Sequence, residues 1–182
     1  MKPIQLFSRS ALFLTLMIIS AYIQITLPTP YYPMHITLQL FVCIVCGFCL
    51  PVHYAILSMG VYILMGLIGF PVFASGGGIS YIMRPTFGFI LGFFCCSISC
   101  SALKQRKRPT CLLDYFKIGV VGLFLYYLIG NLYYYFSFPV LMETHIPLWF
   151  SLFNGVLVSI VPDFLLMAIA CRTSKSLQIF FQ

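Results

Sequence analysis

Apolar runs dominate the chain, and short polar, proline-broken or basic stretches separate them. Ala11 to Leu27 is almost uncharged. Ile36 to Leu50, Tyr54 to Phe70, Pro85 to Leu103 and Leu112 to Tyr135 repeat the pattern, and a sixth run opens at Pro162-Asp163 and continues through Ala170 into the tail. The runs are apolar on every side rather than along one stripe, as buried or membrane-spanning helices are. A helix needs roughly 20 apolar residues to cross a bilayer. The pattern predicts an all-α, polytopic membrane protein with six transmembrane helices in a single domain over residues 1–182.

The interruptions carry as much information as the runs. Pro28-Thr29-Pro30, with Tyr31, Tyr32 and Pro33, predicts an aromatic turn at the membrane interface. Pro51-Val52-His53 is a very short connection, and Lys104 to Pro109 is a basic loop. Ser137 to Val161 is irregular but apolar, and predicts a partial helix folded back over the bundle as a lid carrying Glu143, His145 and Trp149. One stretch stands apart. Gly66 to Phe89 holds Pro71, the run Gly76-Gly77-Gly78, and then Arg84-Pro85, so it cannot form one regular helix. In lipid, irregular backbone persists only where protein or water satisfies it, and that marks the stretch as the wall of a binding pocket.

Composition agrees with the membrane reading. Hydrophobic residues make up 62% of the chain and charged residues 7%, with mean hydropathy +1.04; a soluble domain carries about 25% charge. The net charge of +7 suggests nucleic acid until the charges are placed. With six spans, Lys2, Arg9, Lys104, Arg106, Lys107, Arg108, Arg172 and Lys175 fall on one side, with Lys117 near it, and Arg84 alone falls on the other. The positive-inside rule then puts both termini in the cytoplasm and removes the need for a nucleic-acid partner. Lys2 and Arg9 ahead of an apolar run also have the shape of a signal peptide, but no small-x-small cleavage site follows, so the run is read as a retained span. Most of the eight cysteines sit inside apolar runs, where thiols pack as small hydrophobes. Cys43, Cys46 and Cys49 recur every three residues, yet no His or carboxylate lies beside them, and no metal is expected.

Polar groups at membrane depth are costly and therefore informative. Asp163 opens the sixth run; it is either an interfacial helix-start carboxylate or an acceptor for ligand N–H groups. Arg84 is either a headgroup contact or a clamp on a carboxylate. Gln39 and Asn131 each offer donor and acceptor, to a ligand or to a neighbouring helix. The triple glycine is not a phosphate-binding loop, because no Gly-Lys-Ser/Thr follows. His35, His53 and His145 are scattered, so neither a metal triad nor a nucleophile–His–acid set is visible, and the chain is not read as an enzyme. Gly88 and Gly92 form a GxxxG pair that permits close helix approach.

Pro33-Met34-His35-Ile36-Thr37-Leu38-Gln39 resembles the PVPITLQ segment that opens the second span of the BioY family. Gly66 to Ala74, Gly76-Gly77-Gly78 and Pro85-Thr86-Phe87-Gly88-Phe89 resemble its GLPVFAGG…PTGGY signature. Tyr127-Leu128-Ile129-Gly130 resembles YLLG, and Gly155 to Asp163 resembles GVLPFLPGD. The chain departs from the family pattern at Leu166, where the family usually has Lys, at Phe87, and at Val161-Pro162. The resemblance implies a biotin-binding S component of an energy-coupling-factor transporter in the plasma membrane, with an outward-facing pocket, a transmembrane T subunit and two ABC-type ATPases as partners, and no cofactor. With biotin as the ligand, Asp163 and either Gln39 or Asn131 are expected on the ureido group, Phe73 and Tyr81 as an apolar sleeve, and Arg84 on the carboxylate. Gly76, Gly77 and Gly78 are expected as the hinge of a closing loop. The alternatives are a transporter of another small carboxylate and, lacking a visible acid–base set, an intramembrane enzyme.

Overall fold

The computed structural model describes residues 3–27, 34–141, 156 and 159–181. Six α-helices run through them: α1 (Pro3–Tyr22), α2 (Gln39–Cys49), α3 (Val52–Ile68), α4 (Phe87–Lys107), α5 (Leu112–Leu141) and α6 (Ile160–Phe181). Three segments, Pro3–Tyr22, Phe87–Lys107 and Leu112–Ser137, are long and apolar enough to cross a membrane, while α2 and α3 are shorter apolar helices. Glu143, His145 and Trp149 of the expected lid lie outside the described residues.

One part of the architecture is not helical. The first apolar run ends its helix at Tyr22, and Gln24–Leu27 (β1) pairs antiparallel with Met34–Thr37 (β2), Gln24 opposite Thr37. The sequence reading carried the first span to Leu27 and opened the second at Ile36. The local chemistry explains the difference. Ile25, Thr26, Ile36 and Thr37 are β-branched and fit a pleated strand better than a helix. Pro28 also pushes the residue before it towards extended backbone.

Helix α2 is the centre of the bundle. All its residues except Phe41 are buried, as expected of a helix that is apolar on every side. It packs against α1, α4 and α6, while α4 makes its most extensive contact with α5. In contrast, α1 buries only Ser10, Phe13, Met17, Ser20 and Ala21, and leaves Leu12, Leu16 and Ile19 exposed on its outer side.

Lipid gives these helices no hydrophobic reason to associate, so contact depends on close approach and on hydrogen bonds between helices. The α4–α5 seam supplies the first. A side chain added at Gly88 would meet Tyr133 Cβ at 2.3 Å and Gly130 O at 2.9 Å, and one at Gly92 would meet Tyr126 O at 2.7 Å. The GxxxG pair therefore seats the backbone of α5. The second comes from hydroxyls: Ser58 donates to Ser10 O at 3.0 Å and Ser101 to Leu50 O at 2.7 Å.

The two ends of the bundle differ in charge. Lys104 at the end of α4 donates to Phe48 O near the end of α2, and Tyr115 at the start of α5 donates to Gln178 near the end of α6. The Lys104–Arg108 cluster therefore shares one end with the start of α5 and the end of α6. Cys111 lies there too, exposed, its thiol donating to Asp114 Oδ2 at 3.1 Å. The other seven cysteines are buried or partly buried.

The seam makes a testable contrast. Gly88→Ala and Gly92→Ala should each destabilise the protein by about 1–3 kcal/mol, the usual cost of overpacking. Gly60→Ala on α3, where the nearest atom to the new carbon is Phe94 at 4.0 Å, should be neutral or stabilising by up to about 1 kcal/mol. Thermal midpoints of the three variants in detergent measure it; equal midpoints would remove the seam's special role.

Candidate functional site

The end opposite the basic cluster gathers the starts of α2, α4 and α6, the ribbon, and the α3–α4 connection. Gly69 ends α3 in a left-handed conformation with φ of 119°. The chain then folds back on the helix it has left, so that Gly78 N–H reaches Gly66 O at 2.7 Å. At Gly77 an added carbon would lie 2.0 Å from Phe70 O, and Gly76 and Gly78 have φ of 109° and 110°. The triple glycine thus answers two demands, left-handed backbone and contact too close for a side chain. A 3-10 turn over Ile79–Met83 leads to α4.

The ribbon fastens this loop. Tyr22 donates to Pro71 O, and Gln24 Nε2 donates to Ala74 O at 3.0 Å. The His35 ring bridges two hydroxyls, Thr26 Oγ1 at Nδ1 and Ser75 Oγ at Nε2, both at 3.0 Å. Arg84 Nη1 donates to Ser75 O at 3.0 Å, and its guanidinium lies 4.8 Å from the centre of the Tyr81 ring. Burial, reinforced by the Arg84 charge, pushes the His35 pKa below its ordinary value and favours the neutral ring.

Between these elements lies a cavity whose empty space, open solvent at its mouth included, is about 620 Å³. Its wall includes His35, Gln39, Tyr81, Phe93, Tyr126 and Asp163. Rings provide its apolar character: Phe93 stacks on Tyr126 at 5.0 Å and 17°. Asp163 supplies the charge. It is 3% exposed, and its Oδ2 accepts a 2.6 Å hydrogen bond from the Tyr127 hydroxyl. Gln39 has both ends of its amide engaged, donating to Tyr62 OH at 2.6 Å and accepting from Thr37 at 3.2 Å. Tyr62 passes the chain on to Val72 O at 3.3 Å.

The structure brings three of the expected site residues, Gln39, Tyr81 and Asp163, into one wall. Phe73 stands behind that wall, 4.7 Å from Tyr81 and 5.4 Å from Tyr62, ring centre to ring centre. Arg84 is not among the lining residues; it touches one of them, Tyr81. Asn131 lies one turn beyond Tyr127 on α5, donating to Tyr127 O at 2.9 Å, and its Oδ1 is buried without a partner among the described residues. His35, Tyr126 and Tyr127 were not singled out from the sequence as site residues. His35 carried a faint signal as the one ionisable side chain in a short β-branched segment, Tyr127 only as the first residue of the segment that resembles YLLG, and Tyr126 none. Among the described residues no three of His, Cys, Asp or Glu are placed to hold a metal ion.

Comparison with known proteins adds four findings. The sequence profile of the BioY family matches residues 2–182. A probable biotin transporter BioY of Lysinibacillus sphaericus is 31% identical over 173 residues, covering 94% of this chain and 86% of the relative. The biotin transporter BioY of Thermotoga maritima is 28% identical over 159 residues, covering 84% and 90%. A crystal structure of the S-component for biotin from an ECF-type ABC transporter superimposes with a TM-score of 0.83 over 98% of this chain and 94% of that one; at 21% identity this likeness speaks for the fold alone.

Neutral His35 makes a further check available. Its folded pKa lies below the unfolded value, so its contribution to stability is present above about pH 6.5 and is lost as pH falls through the folded value. Arg84→Gln removes the second of the two causes and should move the His35 titration part of the way back up, as followed by NMR of labelled histidine. An unmoved titration would place Arg84 too far away to act on the ring.

Proposed function

The chain belongs to the BioY family, and from that premise we propose that it binds biotin and carries it across the plasma membrane as the substrate-binding subunit of an ECF-type transporter. The single observation that carries the reading is Asp163: a buried carboxylate in the wall of an aromatic cavity, with the cation Arg84 against Tyr81 of the same wall. Biotin asks for that combination. Its ureido N–H groups need acceptors, its rings and chain need an apolar sleeve, and its carboxylate needs a positive partner.

Asp163 accepts from the ureido group, assisted by Gln39 or Asn131. Tyr81 lines the sleeve and Phe73 backs it, consistent with their tilted ring contact at 4.7 Å. Arg84 takes the carboxylate by turning from Ser75 O towards the mouth. Gly76 and Gly78, with their left-handed backbone, are the hinges on which the α3–α4 loop closes. The basic cluster at the opposite end faces the cytoplasm by the positive-inside rule, so the cavity opens outward, where the vitamin arrives. No phosphate-binding loop is present in the sequence. The reading therefore takes the energy of transport from partner subunits, a T subunit and two ABC-type ATPases.

Asp163→Asn and Arg84→Ala should each weaken biotin binding to the purified chain by about 2–5 kcal/mol, the usual cost of truncating one side of a buried charged hydrogen bond. Calorimetric titration in detergent measures it. If both variants bind within a few-fold of the parent, the site is elsewhere.

A further inference from the structure

Tyr127 does not line the cavity, yet it is bonded to two of the polar residues assigned to the ligand. We propose that Tyr127 is a positioning residue for biotin: its hydroxyl fixes the Asp163 carboxylate in the orientation that receives the ureido group. The inference rests on the biotin reading above.

The geometry supports it from both partners. A phenol has one proton to donate, and here it goes to Asp163 Oδ2 at 2.6 Å, the short distance of a charge-assisted hydrogen bond. One carboxylate oxygen is thereby committed, and the carboxylate cannot rotate without breaking the bond. The other oxygen is the acceptor left for a solute. Tyr127 is itself held still, 9% exposed and against the Tyr126 ring at 5.1 Å between centres. Tyr126 lines the cavity, so the two adjacent tyrosines divide the work of wall and brace.

The backbone of the same residue holds Asn131. Only the amide nitrogen can donate to a carbonyl, so the bond from Asn131 to Tyr127 O assigns the amide and leaves Oδ1 as an acceptor with no partner among the described residues. Residues 127 and 131 are four apart and share a face of α5. One turn of α5 thus braces the Asp163 carboxylate of α6 and the amide of Asn131. A bond serving only to tie α5 to α6 would not need a carboxylate, whose burial is expensive.

The test is a double-mutant cycle on the full chain in lipid nanodiscs, with biotin affinity measured for the parent, Tyr127→Phe, Asp163→Asn and the double variant. Tyr127→Phe should weaken biotin by roughly ten- to a hundredfold, the range for a hydrogen bond to a charged group. In the Asp163→Asn background the same change should cost less than about threefold, because nothing remains to be positioned. The unliganded melting temperature of Tyr127→Phe checks the fold. If that variant misfolds, Tyr127→4-fluorophenylalanine fills the hydroxyl's volume without its proton. The same loss in both backgrounds marks Tyr127 as a helix tie and overturns the proposal, as does no loss in either. A loss for Asp163→Asn alone sinks the positioning role and leaves the biotin reading standing. Asp163→Asn binding like the parent sinks the positioning role, and a parent that does not bind biotin sinks the biotin reading itself.

Discussion

Helices in a bilayer gain little by hiding apolar side chains from one another, since lipid is as apolar as leucine. This protein depends on what replaces that force: backbones brought near enough for dispersion, and polar groups that find each other between helices. Gly88 and Gly92 let α4 meet α5 where any larger residue would collide with main-chain oxygen. Hydroxyls on α3 and α4 donate to carbonyls of α1 and the end of α2. The outer side of α1 can stay apolar and exposed because lipid suits it.

The same constraint shapes the cavity. A connection as irregular as residues 69–86 needs partners for its peptide groups. Most come from nearby: Gly78 turns back to Gly66, Phe73 and Gly76 bond each other in both directions, and Arg84 and Tyr81 each bond within the loop's last turn. The end of α1 adds a side-chain bond through Tyr22, and the ribbon adds others through Gln24 and His35. A loop satisfied in this way makes few demands on the cavity it covers. The carboxylate of Asp163 is therefore not consumed in holding the loop, and its described side-chain partner comes from α5.

The helices, their order and the break after α3 were legible because long apolar runs and a Pro–Gly interruption are signals of composition, which need no tertiary knowledge. Asp163 and Arg84 stood out for the same reason, as rare charges in an apolar chain. The ribbon was not legible, since four-residue strands have too short a period to distinguish from a helix end, and the apolar run around them continued. His35 was passed over because its meaning lies in Thr26, Ser75 and Arg84, which approach it only when the chain folds. Tyr127 was one tyrosine among twelve. Nothing in its neighbours along the chain points to a carboxylate 36 positions away. Arg84 and Asn131 show the converse: their identity was visible, but not that one lies against Tyr81 and the other on the turn beyond the brace.

The distribution of thiols carries a practical corollary. Six of the eight cysteines are buried, Cys95 is partly exposed within the apolar α4, and the exposed one, Cys111, follows the basic cluster at the end remote from the cavity. The unaltered chain therefore holds a built-in sidedness marker. A membrane-impermeant maleimide offered to intact cells and to inverted vesicles would report which face carries Cys111, with no cysteine to remove and none to introduce.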